Sequence, residues 1–260
     1  MVQDTVGADV SLLLCRRRLF PLPASTPSWQ SGLIEWYDSE DVADGTSDPV
    51  TSWTSRVNGH VAGNGTGTLR FTKNGALWGD KYTVSTGTGG YVTWPKGPDL
   101  VTQDTNATVL FVGEHTSAAD HQNCCSVGGL DAQAAHSQWL HYPATGDHYT
   151  WNKHQPGLIV ESSQSYASTT GTGKRLALAW WTGTAPNSTT MARSANSEWE
   201  EFVGWDSSQF GFGPTLNYRI GASAIGTFNA WIGNIRAFMT WGRRLSNAEL
   251  AAVRAYYGVT

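Results

Sequence analysis

Residues 29–260 read as an all-β domain, and three observations carry that reading. The 260-residue chain holds 29 glycines and only 15% charged residues against 40% hydrophobic ones. That profile suits short strands joined by tight turns, not helical bundles or disorder. Hairpin-type dipeptides recur at Asp44–Gly45, Asn58–Gly59, Asn64–Gly65 and Asn74–Gly75, where both residues tolerate positive φ. From Trp231 to Trp241 the odd positions are Trp231, Gly233, Ile235, Ala237, Met239 and Trp241, and the even ones include Asn234, Arg236 and Thr240. This period of two predicts a strand with one face on a core and the other towards solvent.

The first 28 residues differ from the rest. Pro21, Pro23 and Pro27 favour an extended backbone that continues neither a helix nor a central strand. The segment predicts an arm with little core of its own, held by a partner surface or folded back onto its own domain. Leu12, Leu13, Leu14, Arg16, Arg17, Arg18 and Phe20 are its candidate assembly residues. Further along, Ala107–Val112 and Leu176–Trp181 are apolar on both faces, as central strands covered on both sides would be. Ser137–Tyr142 and His148–Trp151 predict two strands joined by a Pro143–Gly146 turn. One helix is expected, at the C-terminus. Ser246 and Glu249 form a capping box, Leu245 and Leu250 are spaced as a hydrophobic staple, and Gly258 supplies the left-handed stop.

Composition excludes several classes of function. A net charge of −4 and a pI near 5.9 argue against nucleic acid, which needs a basic stripe to displace phosphate counterions. The longest strongly apolar run, Val10–Cys15 with one serine, is far short of the ~20 residues a membrane helix requires. Arg16–Arg18 come after that run instead of preceding it, so no signal peptide is expected. Cys15, Cys124 and Cys125 are odd in number and two are adjacent; free thiols and synthesis in a reducing cytoplasm are expected. The sequons at Asn64, Asn106 and Asn187 arise easily in a Thr-rich chain and are discounted.

The ends of the domain carry a family resemblance. Ile220–Gly221, then Gly233–Asn234–Ile235, then Arg244–Leu245–Ser246 with Glu249 resemble the closing "IG" strand, "G-x-I" strand and capped helix of laminin G-like and concanavalin A-like domains. Residues 32–59 resemble the family's first strand, Asp-rich turn and "V-x-x-W" strand, and Arg175–Trp181 its apolar central strand. The resemblance covers about 230 residues and is weak between 113 and 170. It implies a two-sheet antiparallel jelly-roll sandwich with one short C-terminal helix and an N-terminal arm. Function is not implied, because this fold hosts lectins, glucanases and adhesion modules alike. An arm joined to one such domain in a Trp- and Thr-rich chain is similar to virion proteins of tailed bacteriophages.

Candidate chemistry favours binding over catalysis. Glycosidic cleavage needs two carboxylates flanking the bond, and the E-x-D-x-E pattern of glucanases on this fold is absent. The nearest pairs are Asp38 with Glu40, in the acidic turn after the first strand, and Glu198 with Glu200, on a solvated edge. Six of the seven histidines lie between 115 and 154, but without the short paired spacings of a zinc site, so no metal is assigned. Calcium held by loop aspartates is known in relatives of this fold; no residues here are assigned to it. Sugar rings stack on exposed aromatics beside polar groups. Trp139, His141, Tyr149 and Trp151, on the predicted hairpin, are the candidate carbohydrate-binding residues, against the alternative that any single Trp fills the core.

The sequence therefore predicts a non-enzymatic module, made in the host cytoplasm and displayed in multiple copies on a virion. Its arm would meet other virion proteins and its sandwich host cell-surface polysaccharide. The alternatives are a minor tail or capsid-decoration protein that stabilises the particle and, with less support, a glycan hydrolase.

Overall fold

A computed structural model describes residues 26–41, 52–64, 69–73, 82–86, 92–94, 107–116, 122–128, 136–142, 148–155, 158–162, 173, 175–182, 190–203, 217–221 and 231–260. The arm candidates Leu12, Leu13, Leu14, Arg16, Arg17, Arg18 and Phe20 lie outside the described residues, as do the Asp44–Gly45 and Asn74–Gly75 turns. In chain order the first strands are β1 (Leu33–Asp38), β2 (Ser52–Thr54), β3 (Val61–Asn64), β4 (Leu69–Lys73), β5 (Tyr82–Thr86), β6 (Val92–Trp94), β7 (Ala107–His115) and β8 (Gln122–Gly128). Next come β9 (His136–Tyr142), β10 (His148–Gln155), β11 (Leu158–Ser162), β12 (Leu176–Thr182), β13 (Thr190–Ala195), β14 (Glu200–Val203), β15 (Asn217–Ile220) and β16 (Gly233–Trp241). Helix α1 (Asn247–Tyr256) closes the chain.

The strands form two antiparallel sheets. The first runs β14–β13–β12–β7–β16–β5–β4, with β1 also paired to β16; the second runs β11–β10–β9–β8–β15–β6–β3–β2. The chain is thus a two-sheet, all-β sandwich with one short C-terminal helix. The predicted central strands β7 and β12 lie side by side, with Leu110 opposite Ala179 and Val112 opposite Ala177, and both faces of each are buried. Among the described residues no helix is long and apolar enough to cross a membrane.

Alternation assigns two faces to the first sheet. On the outer one, Trp36, Leu110, Val112, Ala177, Ala179, Met239 and Trp241 pack beneath Leu250, Val253 and Tyr257 of the helix segment. The helix forms there because its ends are satisfied locally. Ser246 Oγ accepts from the Glu249 N–H and the Glu249 carboxylate accepts from the Ser246 N–H. At the far end Gly258 adopts φ +62°, so that Val259 N–H reaches Arg254 O and Gly258 N–H reaches Ala255 O. Burying Leu250 and Val253 adds roughly 1.5–3 kcal/mol each.

The β16 prediction needs correction. Ile235 pairs with Gly113 but Ala237 pairs with Val112, leaving Arg236 as the extra residue of a bulge. Ile235 and Ala237 therefore occupy opposite faces, and the odd positions do not share one. Nor does the predicted polar side face solvent at Arg236 and Thr240, which are 3% and 2% exposed; of its even positions only Asn234 is partly exposed. The helix covers one side. On the other, Tyr37 packs against Phe238 and meets Trp53 of the second sheet edge-on, ring centroids 5.7 Å apart.

Candidate functional site

The β8–β11 ladder contains the sequence's binding candidates. The predicted hairpin forms, with His148 opposite Tyr142, Tyr149 opposite His141 and Trp151 opposite Trp139. All four candidates therefore have the same pleat parity. Four of the clustered histidines sit in these two strands, and His136 lies opposite His154.

Register also relates them to buried positions. Trp139 pairs with Cys125 and Cys125 with Ile220, and both partners are buried. Trp53 and Ala62, of the same parity further along the sheet, are buried as well, and Trp53 touches Tyr37 of the first sheet. Trp139, His141, Tyr149 and Trp151 thus share the register parity of Cys125 and Ile220. The sequence offers no way to see this, because parity relative to the core is set by partners on β8 and β15.

The opposite face has a different character. Thr54 and Val61 lie on it, both exposed, and Arg219 is partly exposed. Through Arg219 runs a register row of hydrogen-bonding residues that includes Ser126, Gln138 and Asn152.

The acidic turn is not an open carboxylate pair. Asp38 ends β1 and is fully buried, a correction to its expected place in a turn-rich loop. Its Oδ1 accepts from Arg236 Nη1 and from the Glu40 N–H at 3.0 Å; its Oδ2 accepts from Arg56 at 2.8 Å and from the Tyr257 hydroxyl at 3.1 Å. Glu40 Oε1 lies 2.9 Å from Arg236, and Asp41 accepts from Arg56 Nε at 2.6 Å. Burial, reinforced by the Asp38 charge, pushes the Tyr257 phenol well above its usual range. Carboxylates so committed hold the fold together and are poorly placed to flank a glycosidic bond. Glu198 precedes β14, the edge strand, and Glu200 opens it; both are exposed, as expected.

Two further polar features are internal. Glu35 is fully buried and one of its oxygens meets His60 Nδ1. Cys124 and Cys125 are free and buried. Cys124 is the extra residue of a second bulge, between Asn123 and Cys125, which explains how two adjacent residues are both enclosed. Burial pushes both thiols up, away from the thiolate that ligates metals or attacks carbon. Among the described residues no group of three His, Cys, Asp or Glu could hold a metal ion.

Fold and ladder together define a two-sheet antiparallel β-sandwich with one short C-terminal helix. Solved structures similar to the chain include a Trypanosoma rangeli sialidase mutant displaying trans-sialidase activity, at 11% identity and TM-score 0.54, covering 89% of this chain and 34% of that one. The same sialidase in complex with a difluoro-nononic acid matches at 13% identity and TM-score 0.52, over 88% and 34%. The chain thus spans about a third of those sialidases, and at such identities the likeness concerns the fold alone. The sialyllactose-bound CBM40 domain of a Ruminococcus gnavus sialidase matches more loosely, at 17% identity and TM-score 0.44, over 57% and 82%. No family model matches, and no curated protein does.

Proposed function

We propose that the chain is a non-enzymatic carbohydrate-binding module that contacts its glycan through the β8–β11 ladder. The observation that carries this is the in-register gathering of Trp139 with Trp151 and His141 with Tyr149 on two adjacent strands, beside a face of amide and hydroxyl positions. Aromatic rings and fixed polar groups in one place are what a sugar requires. Trp139, His141, Tyr149 and Trp151 are the proposed contributors to that contact. In the finer reading, residues 1–28 anchor the module to other virion proteins of a tailed phage, and the sandwich is displayed to host-surface polysaccharide. Weak single sites would then act through avidity. No cofactor enters this reading.

The second reading is a structural virion protein, favoured by the extent to which the described aromatic residues are core. Of the eight tryptophans with described side chains, Trp29, Trp36, Trp53, Trp180, Trp231 and Trp241 are buried. The two readings separate in one titration of the full chain with host cell-wall polysaccharide, following tryptophan fluorescence and assaying reducing ends. A saturable change without new reducing ends is expected. New reducing ends would make it a hydrolase, and no change at millimolar sugar would leave the structural role.

A further inference from the structure

We infer that the chain carries a second sugar-contacting site, on the first sheet where Trp181, Trp199, Glu201 and Arg244 meet, and that this site takes a neutral sugar through two adjacent hydroxyls. No strand of the β8–β11 ladder contributes to it, so it goes beyond the reading above. Trp181 on β12 stands opposite Ala192 on β13, and Ala192 opposite Glu201 on β14. An indole and a carboxylate therefore share one face of the sheet, with a small buried residue between them. Arg244, between β16 and α1, ion-pairs with Glu201 at 2.7 Å. Its guanidinium carbon lies 4.5 Å from the centre of the Trp181 ring and 5.6 Å from that of Trp199. Trp199 is fixed at the start of the helix: its N–H donates to Asn247 Oδ1 at 3.0 Å and its indole N–H to the Leu245 carbonyl at 2.6 Å.

The polar groups of this cluster are only partly used. The Arg244 and Glu201 side chains are 31% and 54% exposed. Among the described residues a single guanidinium nitrogen and a single carboxylate oxygen are engaged, each with the other. Trp181 supplies a further open group. The indole N–H groups of Trp36, Trp53, Trp199 and Trp241 all donate to protein oxygens, whereas that of Trp181 meets no acceptor and is shielded from water. An enclosed indole N–H ordinarily finds an acceptor. Here the partly exposed Arg244 side chain lies over the ring, and a ligand oxygen reaches the N–H as that side chain yields.

The donor and acceptor types select the ligand. A guanidinium only donates and a carboxylate only accepts, but a hydroxyl does both. Two adjacent hydroxyls therefore accept from Arg244 and donate to Glu201 while the C–H face of the sugar ring lies on an indole. An acidic sugar would compete with Glu201 for Arg244 and would approach Glu198 and Glu200, both exposed. Nucleic acid would meet the same three carboxylates without a basic stripe. The core of a protein–protein interface is depleted of such charges.

The test measures retention of the full chain by affinity electrophoresis in galactomannan, in galactomannan whose vicinal diols have been cleaved by periodate and reduced with borohydride, and in alginate. The wild type is expected to be held by intact galactomannan and several-fold less by the cleaved polymer. Glu201→Ala, at an exposed position, is expected to weaken retention about tenfold, the loss of one charge-assisted hydrogen bond, with an unchanged thermal midpoint. Arg244→Lys, which keeps the charge but not the planar fork, is expected to weaken it similarly. If both variants are retained as the wild type is, this site is overturned and the ladder reading stands. If they lose retention while Trp139→Ala/Trp151→Ala does not, this site stands and the ladder reading falls. Equal retention by cleaved and intact galactomannan would overturn the diol contact, and retention by alginate alone the neutral class. Retention by no probe would remove both sites.

Discussion

Arg236, the extra residue of the β16 bulge, donates to the carboxylate of Asp38, 198 positions earlier in the chain. The bulge lets a guanidinium sit at an interior position of a strand buried on both faces. It reaches Asp38, Ser39 and Glu40 at the end of β1 and lies 5.2 Å from the centre of the Tyr257 ring. Four segments distant in sequence are joined there, since Arg56 and Tyr257 share the same carboxylate.

Removing Arg236 leaves a buried carboxylate with one charged partner fewer. Arg236→Met is expected to cost about 3 kcal/mol in urea unfolding. A cost below about 1 kcal/mol would mean that Arg56 and Tyr257 alone satisfy Asp38.

Glu249 makes a two-bond pair with Arg243, at 2.9 and 2.7 Å, and also caps the helix through Ser246. The hydrogen bonds from Arg243 lead the lowering of its pKa to about 2. A carboxyl lowered on folding stabilises above its unfolded pKa and loses that contribution as pH falls through the folded one. Stability should therefore decline by about 1 kcal/mol from this group between roughly pH 4.5 and 2. Thermal midpoints of wild type and Arg243→Met against pH check it: the variant should show a shallower acid limb.

Gly258 and Gly59 both hold positive φ, +62° and +66°. A Cβ on Gly258 would come within 2.6 Å of Arg175 Nη1, which also donates to Gly258 O; one on Gly59 would meet nothing within 4 Å. Gly59→Ala should cost about 1 kcal/mol, from backbone alone. Gly258→Ala should cost more, because the Arg175 bond and the helix stop are both disturbed. Equal costs in denaturant titrations would contradict the Arg175 contact.

Cys124 and Cys125 should resist a thiol reagent such as dithionitrobenzoate in the native state and react quickly after unfolding. Burial both blocks access and keeps the thiols protonated. Prompt native-state labelling of a variant in which Cys15 is replaced by serine would place them at the surface.

Signals in the sequence are legible where their causes are local. The capping box of Ser246 and Glu249 and the stop at Gly258 involve residues within one turn of each other. The doubly apolar runs in β7 and β12 reflect covering on both faces. The family pattern points to Arg244, yet it is Arg243 that holds Glu249 and the Ser31 carbonyl; a cation two residues before Leu245 is the available signal. Arg244 instead pairs with Glu201 at 2.7 Å and lies over Trp181.

The sequence by itself determined the β class, the capped helix and the β9–β10 hairpin, because turn chemistry and short periodicities act over a few residues. Only the tertiary structure decided which face of each strand is covered. A single bulge residue, Arg236 on β16 or Cys124 on β8, inverts the parity of the remainder of its strand. The partners that reveal the inversion come from strands far away in the chain. That is why Trp139 and Trp151 are visible in the sequence as a pair, while their register parity with Cys125 and Ile220 is not.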